Sequence, residues 1–127
     1  MYDRILLASD GTEASTNAES HAIALAAEHG AALDVLYVVD EDVYTAYSGD
    51  EYVDESEGPE HGLEESGEET LSRIQADAEA AGVDVTTTLK HGQPAESIIE
   101  TAKQTGVDVL VLGTKRRPAE YRSLLGS

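Results

Sequence analysis

The sequence predicts an α/β domain, an open parallel sheet with helices on both faces, on three observations. Apolar runs over residues 3–9, 32–40 and 107–112 are too continuous to alternate between a wet and a dry face. Between them lie segments whose small apolar residues recur at helical spacing. Glycines at 30, 92 and 106 punctuate the joins. A parallel neighbour needs a crossover helix, so strands of this kind alternating with helices read as right-handed βαβ units.

Each element follows in order. DRILLAS (3–9) is a strand that ends in the turn Asp10-Gly11-Thr12, and a helix runs from about Ala14 to His29 before Gly30. Its apolar face carries Ala18, Ala22, Leu25 and Ala26, with Glu19 and Glu28 expected off it. ALDVLYVVD (32–40) is a buried parallel strand. From Asp40 to Glu69 there are thirteen acids and no Lys or Arg; the part to about Gly58 has no periodic apolar face and is expected as a surface loop. Helix resumes near Leu63 and runs to about Ala81 on Leu71, Ile74, Ala78 and Ala81. Val83 to Leu89 is the third strand and Lys90-His91-Gly92 a turn. Pro94 opens a helix with Ile98, Ile99 and Ala102 inward, Gly106 ends it, and Val107 to Leu112 is the fourth strand.

A length of 127 residues supports one domain with a single core that hides about two-thirds of the unfolded surface. With Cys 0, disulfides, thiol nucleophiles and cysteine zinc sites are excluded, and with Trp 0 and Phe 0 the core is aliphatic. The net charge of −18 repels nucleic acid and anionic membrane. Such self-repulsion is screened at molar salt, where the Debye length is about 3 Å, so the composition reads as that of a halophilic, cytoplasmic protein. The run Ile5 to Ala8 is too short for a signal or a membrane span.

Ligands of open α/β sheets sit beyond the carboxyl ends of strands where the strand order reverses. Two such ends carry polar turn chemistry: Ser9-Asp10-Gly11-Thr12, and Gly113-Thr114 with the segment GTKRRPAEYRSLLGS. The second holds four of the eight basic side chains, Lys115, Arg116, Arg117 and Arg122. Glycines let backbone N–H groups approach phosphate oxygens, so the segment reads as an anion cradle or as bases balancing acidic neighbours. Asp10 reads equally as a ligand and as a former of the helix-entry turn.

Other chemistries lack their residues. His21, His29, His61 and His91 form no metal-binding pair, and the acidic run lacks the spacing of a calcium loop. There is no Walker loop, no G-x-G-x-x-G and no G-x-S-x-G elbow. A receiver domain would need an Asp at the end of the third strand, where Leu89-Lys90-His91 stands.

RILLASDGTEAS, LYVVDE, HGQPAESIIETAKQTGVDVLVLGT and the terminal LLGS together resemble the universal stress protein family over the whole chain. The resemblance implies strand order 3-2-1-4, with the family's fifth strand missing here, so that residues 1–127 form one domain that is C-terminally incomplete. It also implies an adenine nucleotide, ATP with Mg²⁺, held between the first and fourth strand ends in a stress-response protein with at most slow hydrolysis. Nucleotide-binding members share G-x2-G-x9-G-[ST] after the fourth strand, and Gly113, Gly126 and Ser127 fall at that spacing. The resemblance places Asp10 near the phosphates or their Mg²⁺ with Ser9 beside it. Val38 would lie along adenine or ribose through its backbone, Leu112 at the pocket wall and Thr114 on the phosphate loop.

The second glycine of the pattern is Arg116, which either supplies a guanidinium to the phosphates or closes the pocket. The corresponding alternative function is a nucleotide-free, homodimeric stress-response scaffold.

Overall fold

The computed structural model describes residues 2–11, 13–40 and 59–113. In chain order these form β1 (Arg4–Ser9), α1 (Glu13–His29), β2 (Ala32–Asp40), α2 (Pro59–Ala80), β3 (Val85–Gly92), α3 (Pro94–Thr105) and β4 (Val109–Gly113). All strand pairs are parallel, and the sheet order is β3-β2-β1-β4, as the sequence led us to expect. The acidic stretch through Gly58 lies outside the described residues, as does everything from Thr114 onward.

The order fixes which helix covers which face. β1 to β2 to β3 steps in one direction across the sheet, and β3 to β4 returns past both neighbours to the far side of β1. Right-handed crossovers therefore put α1 and α2 on one face and α3 on the other. Alternate strand residues Ile5, Leu7, Leu33, Val35, Tyr37 and Val39 meet Ala22 and Ala26 of α1 and Leu71, Ile74 and Ala78 of α2. Leu6, Ala8 and Leu36 point the other way, onto Ile98 and Ile99 of α3. Both faces of β1 are thus dry, which is why its sequence is an unbroken apolar run; edge strand β3 alternates instead.

Four boundaries differ from expectation by two residues or more, the start of β3 among them, at Val85 instead of Val83. Lys90-His91-Gly92 is not a turn: these residues continue β3, paired with Val38, Val39 and Asp40 of the nine-residue β2. A long partner strand outweighs the local turn preference of His-Gly, and the Lys90 Nζ is anchored 2.7 Å from the Thr101 hydroxyl of α3. Strand β4 starts at Val109 because the two residues before it are occupied elsewhere. The Val107 N–H approaches the Ala102 carbonyl at the α3 terminus, and the Asp108 N–H donates to the Arg4 carbonyl. Gly106, at φ +67°, closes α3 in the left-handed conformation, as its place in the sequence predicts. Helix α2 begins a turn earlier than expected, at Pro59, a residue suited to the first helical turn.

At the amino end of the sheet polar groups of β1, β2 and the α3–β4 joint come together, with Asp34 Oδ2 buried and held by charge rather than by a hydrogen bond. The Asp108 carboxylate accepts the N–H groups of Asp3 and Arg4 at 2.8 and 3.1 Å, and these bonds hold it below the usual carboxylate range. Arg4 Nε lies 3.0 Å from Asp34 Oδ2.

Candidate functional site

The strand order reverses between β1 and β4, so the crevice of an open α/β sheet lies beyond their carboxyl ends. β1 ends there at Ser9, and β4 ends beside it at Gly113, its register partner. The ladder continues one step further, with the Asp10 N–H donating to the Gly113 carbonyl at 3.0 Å. Ser9 is buried, with its hydroxyl 3.3 Å from that of Ser15 in α1 and accepting the Gly11 N–H at 3.2 Å. This local loop turns the chain at Gly11, φ +75°, and leaves Asp10 half-buried at the rim.

The structure divides the residues singled out in the sequence between the two faces. Ser9 and Gly113 lie against α1, while Val38 and Leu112 are half-buried and pack with the α3 cluster. Asp10 stands between them, joined to Gly113. Thr114, Arg116, Gly126 and Ser127 lie outside the described residues.

Gly113 has a structural role of its own. A Cβ there would sit 2.9 Å from Ser15 Cβ and 3.3 Å from Ala18 Cβ, so the missing side chain is what lets α1 lie directly on β4. Phosphate approach is therefore not needed to explain this glycine.

Sequence reasoning missed two features near the site. Glu19, expected off the buried face of α1, is 3% exposed and lies on the stripe Ser15-Glu19-Ala22-Ala26. Arg73 of α2 reaches it through one guanidinium nitrogen at 2.7 and 3.2 Å from the two carboxylate oxygens. The available signal was Arg73 itself, the only Lys or Arg between Arg4 and Lys90. The second feature is Tyr37, whose ring is wedged between the Gly11 turn and α2. A Cβ at Gly67 would fall 2.6 Å from its Cδ1, and one at Gly11 would fall 3.3 Å from its Cε2. Burial, and after it the charge of Asp10, pushes the Tyr37 phenol above its ordinary value.

No group of three or more His, Asp or Glu gathers to hold a metal among the described residues. No helix among them is long and apolar enough to cross a membrane.

Comparison with known proteins agrees with this architecture. Universal stress protein MJ0531 of Methanocaldococcus jannaschii is 33% identical over 130 residues, which span all of this chain and 73% of that protein. A universal stress protein structure from Burkholderia pseudomallei superposes with a TM-score of 0.73 at 27% identity, covering 98% of this chain and 89% of that one. A universal stress protein in complex with cAMP gives 0.67 at 25% identity, covering 99% and 86%. The model of the universal stress protein family matches residues 1–127, and with the parallel 3-2-1-4 sheet this makes the chain a member of that family.

Proposed function

We propose that this chain binds an adenine nucleotide, ATP in the first instance, in the crevice beyond β1 and β4. The observation that carries the reading is the placement of Asp10, half-buried at the strand-order reversal and hydrogen-bonded through its N–H to Gly113. A similar protein solved with cAMP supports the ligand class. In this reading Ser9 shapes the turn, the Val38 backbone lies along adenine or ribose, Leu112 forms the pocket wall, and Thr114, Gly126 and Ser127 hold phosphate. Arg116 supplies a guanidinium to the same phosphates. In this reading Mg²⁺ comes with the phosphates and is touched by Asp10. Mg²⁺ there would neutralise phosphate charge beside the carboxylate. The protein binds nucleotide rather than turning it over rapidly, and acts in the cytoplasm as a homodimer.

A second reading is favoured by the packing of Gly113: its missing side chain is already required by α1, so one motif glycine stands without any ligand. Here the chain is a nucleotide-free dimeric scaffold whose pocket Arg116 closes.

Isothermal titration of ATP with Mg²⁺ in molar KCl separates the two. Micromolar, saturable binding that weakens about tenfold in Asp10→Ala and in Ser127→Ala supports the first. No heat, no nucleotide released from denatured protein, and binding gained in Arg116→Gly support the second.

A further inference from the structure

We infer that Ser15 of α1 is a positioning residue for the candidate site: its buried hydroxyl holds the Ser9 hydroxyl, which holds the Gly11 N–H, so that the turn carrying Asp10 keeps one conformation. The consequence for a ligand rests on the nucleotide-binding reading; the consequence for the turn does not. Ser15 is 0% exposed, so it touches no ligand itself. Its Oγ lies 3.3 Å from that of Ser9, and the Ser9 Oγ accepts the Gly11 N–H at 3.2 Å. Its Cβ faces Gly113, 2.9 Å from the place a Cβ there would take. One side chain therefore sits against the register-paired last residues of both strands that bound the crevice, β1 through its hydroxyl and β4 through its Cβ.

The two contacts ask for different chemistry. Alanine would fill the space beside Gly113 as well as serine does, and it favours a helix more. What alanine could not supply is the bond to Ser9. Whichever of the two hydroxyls donates, the Ser9 oxygen is held from two sides, by Ser15 and by the Gly11 N–H, and keeps one rotamer. Gly11 stands at φ +75°, and glycine takes positive and negative φ about equally, so the residue by itself does not select this turn and the bond to Ser9 favours it. Asp10 lies between these anchors, its own N–H on the Gly113 carbonyl, and its carboxylate is aimed by the turn they fix.

The test compares wild type, Ser15→Ala, Ser9→Ala and the double variant as full chains in molar KCl at one pH. Hydrogen exchange of the Gly11 amide is followed against that of Leu33, which donates to the Asp84 carbonyl at the other end of the sheet. Ser15→Ala should speed Gly11 exchange about three- to tenfold and leave Leu33 unchanged, and adding it to Ser9→Ala should change Gly11 no further. A Gly11 rate within about twofold of wild type overturns the assignment, and so does an equal quickening of Gly11 and Leu33, the mark of lost overall stability. ATP with Mg²⁺ should bind about two- to fivefold more weakly to Ser15→Ala, and no more weakly to the double variant than to Ser9→Ala. Effects that multiply, or an affinity that Ser15→Ala leaves unchanged, overturn the positioning role. If Ser15→Ala alone does not fold, the double variant, which leaves neither hydroxyl behind, is read against Ser9→Ala, and faster Gly11 exchange in it overturns the assignment. If wild type binds no ATP, the nucleotide reading falls, and Gly11 exchange alone decides whether Ser15 holds the turn.

Discussion

On the face of the sheet covered by α1 and α2, Ile5, Leu7, Ala22, Leu33 and Ile74 are sealed from solvent, and three glycines are pressed against side chains. A carbon added at Gly11, Gly67 or Gly113 would meet its nearest neighbour at 2.9, 2.6 or 2.9 Å. On the face covered by α3 the buried cluster is smaller, Leu6, Ala8, Leu36, Ile98 and Ile99, and Val38, Ala102, Val107, Leu110 and Leu112 around it are half-buried; the first face has half-buried residues too, such as Val85 and Val111, but around a larger sealed cluster. The first face is a fixed surface from which Ser9, Gly11 and Gly113 are held in place. The second has the smaller sealed core, and Val38 and Leu112 on it are half-buried. In the proposed nucleotide site, the turn is backed by the more tightly packed of the two faces.

The comparison breaks most sharply in core truncations. Ile74→Ala should cost about 3–5 kcal/mol in urea unfolding at high salt, because the sealed face cannot collapse onto the gap, while Ile98→Ala should cost about 2–3 kcal/mol. Equal losses would show that the two faces are packed alike.

Next in size is the ion pair that joins α1 to α2. Arg73→Ala strands a buried Glu19 carboxylate and should cost about 2–3 kcal/mol, reduced from a fully buried pair because Arg73 is 49% exposed. Adding Glu19→Gln should recover part of the loss, since a neutral amide is cheaper to bury.

Added carbons come third. Gly113→Ala and Gly67→Ala should each cost about 1–3 kcal/mol through overpacking, whereas Gly30→Ala should cost only about 1 kcal/mol. Gly30 has nothing within contact range of an added Cβ, and its cost comes from a φ of +64° alone. A tolerated Gly113→Ala would mean that α1 can shift off β4.

The smallest effect is at the amino end of the sheet. Asp108 is held below the usual carboxylate range by two backbone N–H groups, so its contribution is present above about pH 4 and is lost as pH falls through the lowered value. Asp108→Asn should therefore flatten the acid limb of a stability-against-pH curve and leave the limb above pH 5 parallel to wild type.

Much of the fold is legible in single residues. Gly106 marked the end of α3, Pro94 its start, and the unbroken run of β1 its central place between two covered faces. The order of the strands was available only by resemblance, since periodicity carries no information about which strand lies beside which. Ser9 and Asp10 were legible because a strand, a polar turn and a helix in succession mark the carboxyl end of a sheet. Glu19 was not, because a helix rich in alanine has two overlapping faces, and which one is buried was settled by an arginine 54 residues away.

Local sequence thus determined the strands, the helices, the polar turn after β1 and the acidic character of the chain, because propensity and patterning act within a few residues. Tertiary structure decided how far β3 extends, that Gly113 serves α1, that Glu19 lies inside, and that Tyr37 stands against the Asp10 turn. Each of these depends on groups distant in sequence competing for the same space and the same hydrogen bonds, and only the packed chain resolves that competition.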